Sequence, residues 1–324
     1  MRHTTRSMQA RVFGLFLALA APLACAQGAA PIRLVVPFST GGPTDIAARV
    51  IAPILGETLG RVVVVDNRVG ATGAIGAELV ARATPDGNTV LFGTSSIMAA
   101  NPALVPRLPY DPVQHFAPVS LVATIENILV VHPSVPVRNV QELVRHARER
   151  PGQIFYGSSG TGSTYHLGAE LFANLTQTRL THVPYKGQGP AAQDLLAGHI
   201  QLMFDAFNSA LPNIRSGHVR ALGIASARRH PDLPDLPTMI EQGVPNYITT
   251  IWLAFFLPAR TPPAITARLQ QALAGIMQRE EVRERFDRLG MQAVSSTSAE
   301  LDQLLRTELR QWTGVVREAG IKPD

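Results

Sequence analysis

Near its middle the chain runs Tyr156-Gly157-Ser158-Ser159-Gly160-Thr161-Gly162-Ser163-Thr164-Tyr165-His166-Leu167. A short apolar run over 154–156 leads into this stretch. An apolar series at helical spacing, Leu167, Leu171, Phe172 and Leu175, leads out of it. The pattern is strand, small-residue loop, helix N-terminus. A helix start presents N–H groups with no intrahelical partner at the positive end of the dipole. Glycines let a ligand approach the backbone, and hydroxyls add donors, so the loop is built for an anion. A second loop of the same kind lies near the start: Pro37-Phe38-Ser39-Thr40-Gly41-Gly42-Pro43-Thr44-Asp45. Two such loops in separate halves predict one ligand held between two lobes.

Outward from these loops the chain reads as repeated strand–helix units. Strands are expected over 32–37, 61–66 and 89–93, with helices over 43–59 and 70–83 between them. Pro43 suits a first helical turn, and Pro53 should kink or interrupt the first helix. The near-continuous apolar strands imply mainly parallel sheets covered on both faces. Residues 101–118 are proline-rich and read as an irregular crossing. Residues 128–132 and 249–257 read as strands passing between the lobes. The region between them alternates strand and helix, and the chain ends in helices over 263–277, 280–289 and 298–319.

The chain has 324 residues, 46% of them hydrophobic and 16% charged, which suits two well-cored domains. The net charge of +5 is misleading. Arg2, Arg6 and Arg11 lie in a leader that contains no acidic residue, and removing those three from 29 leaves 26 basic against 24 acidic residues. No basic stripe with interleaved aromatics occurs, so nucleic acid is not an expected partner. The three arginines, the apolar run 12–21 and Ala24-Cys25-Ala26 form a secretory signal over residues 1–26. Cleavage after Ala26 is favoured over acylation of Cys25, because Pro22 stands where a lipoprotein signal usually has Leu. Cys25 is the only cysteine, so the mature chain would lack a thiol nucleophile and any disulfide.

In order and spacing these pieces resemble the Bug-type periplasmic solute receptors, the binding component of tripartite tricarboxylate transporters. The resemblance spans essentially the whole mature chain. It rests on residues 37–45 with Ala48-Arg49, Thr84-Pro85-Asp86-Gly87, Tyr110-Asp111-Pro112, Tyr156-Gly157-Ser158-Ser159-Gly160 and His166-Leu167 with Glu170-Leu171-Phe172. It continues through His182-Val183-Pro184-Tyr185-Lys186-Gly187, Gly198, Met203-Phe204-Asp205 and Leu236-Pro237-Thr238. It implies an α/β, two-lobed Venus-flytrap fold of type II with two crossover strands. Lobe 1 would comprise 27–127 plus 253–324, and lobe 2 residues 128–252. It further implies a periplasmic monomer that takes a small organic carboxylate, without cofactor or metal, and passes it to membrane transporter subunits. Glu126 departs from the family's usual small residue or proline, and reads as a solvated residue at a strand edge.

The candidate ligand-binding residues are Phe38, Ser39, Thr40, Gly41, Gly42 and Asp45 in the first loop, and Gly157, Ser158, Ser159, Gly160, Thr161, Gly162 and Ser163 in the second. Thr94, Ser95, His166, Tyr185 and Asp205 join them as residues near strand or loop ends. Asp45 also reads as a helix cap and His166 as a satisfied structural histidine. Asp205 could bind an amine or hydroxyl of a ligand, or cap the following segment. Gly70-Ala71-Thr72-Gly73 also opens a helix, but turn packing is the better reading, and Lys186 reads as a solvated charge. No Walker loop, dinucleotide fingerprint, nucleophile elbow or His-Glu-x-x-His is present. The rival readings are an enzyme on the same fold, with Asp205 and His166 as acid and base, and a receptor that presents its ligand to a sensor.

Overall fold

A computed structural model of the chain describes residues 30–321. The leader, its cleavage site and Cys25 lie outside the described residues. The first strand–helix units form as their patterns predict: β1 (Ile32–Val36), α1 (Pro43–Leu59), β2 (Val63–Asn67), α2 (Ala74–Ala81) and β3 (Thr89–Thr94). A π turn over Ser96–Ala100 leads into the short α3 (Asn101–Leu104), and β4 (Phe116–Ile125) and β5 (Asn127–Val131) follow. Next come α4 (Val140–Glu149), β6 (Phe155–Ser158), α5 (Thr164–Thr176), β7 (Thr181–Pro184) and α6 (Gln188–Leu196). Then β8 (Leu202–Ala206), α7 (Phe207–Arg215), β9 (Arg220–Ile224) and β10 (Ile251–Pro258). The chain closes with α8 (Pro263–Met277), α9 (Glu280–Arg288), β11 (Gln292–Ala293) and α10 (Ser298–Ala319).

These strands make two sheets. One has the order β11-β4-β10-β3-β1-β2, the other β7-β6-β8-β5-β9. The parallel cores are those expected: β1 pairs with β2 and β3, and β6 with β7 and β8. Both sheets are nevertheless mixed. β10 runs antiparallel to β3 and β4, and β5 antiparallel to β8 and β9. The reason is that chains crossing between sheets enter from the opposite end.

The ten-residue β4 is a strand that sequence reading missed, because Pro118 and the prolines before it suggested an irregular path. Proline is tolerated there because the β4–β10 register shifts between Phe255 and Phe256, beside the Pro118 pair. Residues 101–104, also expected to be irregular, are helical, and α1 continues through Pro53.

The first sheet is buried on both faces. Leu34 and Val36 of β1 pack into one apolar cluster with Ile51 and Leu55 of α1 and Leu273 of α8. Val35, between them, packs into the other, which continues through Trp252 and Leu305 to Leu129, Tyr156 and Phe172 around the second sheet. Each fully buried residue of this size contributes about 1.5–3 kcal/mol. A capping box at Thr297 and Glu300 starts α10, whose far end reaches α5 through a hydrogen bond from Asn174 Nδ2 to Glu318 Oε2 (3.3 Å).

Between the sheets the chain passes twice, side by side. β4 joins β5 through Glu126 alone, and β10 pairs with β4 as far as Ile251–Ile125. Asn127 Nδ2 donates to the Thr249 carbonyl, tying one crossing to the other. Glu126 is half-buried rather than solvated, and burial raises its carboxyl above the ordinary value.

Candidate ligand cleft

The first loop leaves the C-terminal end of β1 and enters α1 at Pro43. Its shape is set by Asp45, whose buried carboxylate accepts hydrogen bonds from Gly41 N–H (2.9 Å), Arg49 Nε (2.9 Å) and Asn67 Nδ2 (2.9 Å). Burial alone would raise its pKa. The bonds from Arg49, Gly41 and Asn67 outweigh burial and hold it at about 2. The Asn67 amide also donates to the Phe38 carbonyl (3.0 Å). Gly41 has φ +83°, a conformation that disfavours any side chain. Asp45 is therefore a clamp on the loop, its acceptors committed within the protein. No hydrogen bond among the described residues occupies the N–H groups of Ser39 or Thr40.

The second loop leaves β6 and enters α5 with Ser163 as N-cap, accepting from His166 N–H at 3.2 Å. His166 Nδ1 accepts the Gly162 N–H (2.9 Å), which places the proton of the neutral ring on Nε2, 3.9 Å from Glu170 Oε1. The His166 ring stacks on His182 with centroids 3.9 Å apart and planes 10° off parallel, and Tyr156 stacks on His182 at 5.0 Å. Ser158 Oγ lies 2.7 Å from His182 Nε2 and accepts the Gly160 N–H (3.2 Å). Tyr156 donates to Glu170 Oε1 (2.5 Å). Burial lowers both histidines to about 4, and for His166 the neighbouring His182 adds to the effect. The rings thus form a neutral platform under residues 158–163. The N–H groups of Ser159 and Thr161 have no partner among the described residues.

The two loops meet across a cavity of about 990 Å³. Phe38 and Ser39 line it from the first sheet's side, and Ser159, Gly160, Thr161, Gly162 and Ser163 from the second's. The gap is narrow at one point: a Cβ on Gly162 would stand 2.9 Å from Leu104 Cδ1. The other predicted residues are not part of this wall. Gly41 and Asp45 shape the first loop through their hydrogen bond, Gly42 N–H closes it on the Ser39 carbonyl, Thr40 is exposed beside it, and Gly157, Ser158 and His166 support the second.

Tyr185 packs its ring against Gly157 and turns its hydroxyl away, to Asp194 Oδ2 (2.7 Å). Thr94 Oγ1 accepts the Ile97 N–H (3.4 Å), and Ser95 Oγ is buried without a partner among the described residues. Asp205 is buried and accepts from Gln188 Nε2 (3.2 Å) and Ala206 N–H (2.8 Å). Burial pushes it up to about 6 despite these bonds.

Two parts of the wall were not foreseen. The segment 69–75 lines the cleft, although Gly70 and Gly73 read as turn packing. They do pack tightly: a Cβ on Gly73 would meet Ile97 at 2.5 Å and one on Gly70 would meet Ile75 at 2.6 Å. That packing brings the half-exposed Val69 and Ile75 to the rim. The second unforeseen part is 104–109, whose only sequence signal was its prolines. Among the described residues no cluster could hold a metal ion, and no helix is long and apolar enough to cross a membrane.

Residues 47–321 match the tripartite tricarboxylate transporter family receptor. Protein BugT of Bordetella pertussis is 37% identical over 316 residues, covering 96% of this chain and 97% of BugT. Among solved structures, R. palustris Rpa4515 with adipate is 37% identical, with TM-score 0.73, covering 92% of this chain and 100% of that one. MatC from Rhodopseudomonas palustris with bound malate is 33% identical, with TM-score 0.70, covering 89% and 99%. The chain therefore belongs to the tripartite tricarboxylate transporter receptor family, whose members are solute-binding proteins rather than enzymes.

Proposed function

We propose that the protein captures a small organic carboxylate between its lobes in the periplasm and delivers it to a tripartite tricarboxylate-type membrane transporter. The observation that carries this reading is the meeting of two small-residue loops from different sheets across one cleft, each with uncommitted N–H groups. A carboxylate leaving water must recover its hydration through hydrogen bonds. Neither loop contains Lys or Arg between Phe38 and Asp45 or between Gly157 and His166, so the main chain supplies the donors, with Ser and Thr hydroxyls assisting. Charge-assisted bonds of this kind contribute about 1.5–3 kcal/mol each. The adipate and malate bound by the two solved relatives support the ligand class.

The reading also carries a leader cleaved after Ala26 and a monomer that closes around the paired crossings, with lobe 1 taking 27–127 and 253–324 and lobe 2 taking 128–252. A thermal-shift screen of mono-, di- and tricarboxylates, amino acids and aromatic acids, followed by calorimetry, tests it. A ligand at a hundred times its dissociation constant stabilises the folded state by about 2.7 kcal/mol. Saturable binding of an amine or sugar, with no carboxylate bound, would refute the reading.

A further inference from the structure

The cleft wall contributed by the first sheet's lobe is mostly apolar. Val69 is 55% exposed and Ile75 50%, and Leu104 and Leu108 stand opposite the small-residue loop. An apolar surface facing a cavity favours a ligand body of hydrocarbon over one that brings hydroxyls to be desolvated. Two ionic side chains are set in this wall, and they differ in state. Glu78 is paired with Arg82 at 2.8 Å, one turn along α2. Arg107 is exposed, and no acceptor or acidic partner contacts it among the described residues; it is the one Lys or Arg lining the cleft. The wall therefore carries one uncompensated positive charge.

The backbone at Arg107 is also held in place. Pro106 precedes it and Pro109 follows Leu108, so two backbone φ angles beside it are fixed. The segment is pinned at its start by Val105 N–H to the Asn101 carbonyl (2.8 Å) and beyond its end by Tyr110 hydroxyl to the Ile97 carbonyl (2.5 Å). Leu104, three residues before it, abuts Gly162 of the opposing loop. Three residues span at most about 11 Å, so the backbone at Arg107 stands within a small molecule's length of that loop, and its side chain lines the same cavity.

We propose that Arg107 is a specificity-determining residue that receives a second carboxylate at the far end of an apolar-bodied ligand, selecting α,ω-dicarboxylates with an unsubstituted hydrocarbon spacer over monocarboxylates of equal length. The proposal rests on the reading of the cleft as a carboxylate site. The loops at 37–42 and 158–163 hold the first carboxylate, the spacer covers Val69, Ile75 and Leu108, and Arg107 meets the second charge with its planar fork. A neutral end group at Arg107 gains nothing from it. A hydroxylated spacer loses water against the apolar wall without recovering hydrogen bonds.

Calorimetry on the full mature protein tests this with chain-matched pairs, suberate with octanoate and pimelate with heptanoate, on wild type, Arg107→Gln and Arg107→Lys. Arg107 is exposed, so folding should survive either change, and the thermal midpoint without ligand verifies that. The expected result is a dicarboxylate preference of about 10- to 100-fold in wild type, equivalent to about 1.4–2.8 kcal/mol. Arg107→Gln should abolish the preference by weakening the dicarboxylates alone, and Arg107→Lys should restore part of it. Undiminished dicarboxylate binding by Arg107→Gln would overturn the assignment while leaving the carboxylate reading intact, as would a wild type that binds both members of each pair equally. A wild type that binds neither member, nor any carboxylate in the broader screen, would overturn both.

Discussion

The histidine pair under the second loop makes the fold acid-sensitive in a defined window. His166 and His182 stack at 3.9 Å and are held neutral, each with its pKa lowered by burial to about 4 from an ordinary value near 6.5. Glu170, 3.9 Å from His166 Nε2, does not offset this, since burial raises its own pKa and Tyr156 already donates to it. Between about pH 6.5 and pH 4 the unfolded chain binds protons that the folded chain refuses. Stability is therefore full above pH 6.5 and falls as pH drops towards 4. At pH 5 one such imidazole favours unfolding by about 2 kcal/mol, from the two pKa values and the linkage relation. At pH 5 the unfolded chain binds a proton on each ring and the folded chain on neither, so the two contributions add to between about 2 and 4 kcal/mol, His182 giving less than a full share because solvent reaches it.

Urea denaturation followed by tryptophan fluorescence at pH 7 and pH 5 measures this loss. The control is His166→Gln/His182→Phe, which keeps an acceptor for the Gly162 N–H and a ring in the stack but titrates at neither position. Its absolute stability is not the readout; its change between the two pH values is. Wild type should lose about 2–4 kcal/mol more than the double variant over that interval. Equal losses, or NMR titration of either imidazole near 6.5 in the folded protein, would refute the reasoning.

Other consequences are more local. Gly41→Val and Gly160→Val, at φ +83° and +129°, should weaken ligand binding far more than Ser159→Ala or Thr161→Ala, and Lys186→Ala, on the exposed surface, should hardly matter; calorimetry ranks them, and a dominant Lys186 would mean side-chain rather than main-chain capture. Asp45→Asn should cost about 1–2 kcal/mol at pH 7. Because Asp45 is held at about 2, its contribution is complete above about pH 3.8 and is lost as pH falls towards 2, so the wild-type and variant denaturation curves should converge in acid. Gly162→Val, whose Cβ would press on Leu104 at 2.9 Å, should hold the cleft apart; small-angle scattering with saturating ligand should give a larger radius of gyration than liganded wild type, and identical values would show that the contact does not limit closure.

Much of this protein was legible in its sequence because the relevant interactions are local. Apolar runs bounded by turns gave β1 and β3 nearly residue by residue, and the strand, small-residue loop and helix order around residues 156–167 followed from local pattern, with Ser163 capping α5 in the structure. The two small-residue loops and their role as facing walls followed from the same patterns. What the sequence left open depends on partners far along the chain. β4 is a strand because β10, more than a hundred residues later, pairs with it and bulges beside Pro118. Tyr185 reads as a ligand contact, but its hydroxyl goes to Asp194; His166 reads as a satisfied structural histidine, but the partner that satisfies it, the His182 ring, cannot be named from spacing. The segments 69–75 and 104–109 reach the cleft because Gly73 packs on Ile97 and Leu104 packs on Gly162. Spacing along a chain decides which residues share an element, since helix and strand have fixed periods. Which side chains are spent inside the protein and which remain for a ligand is decided only when distant elements pack, because each hydrogen-bonding group goes to the partner that tertiary structure brings nearest.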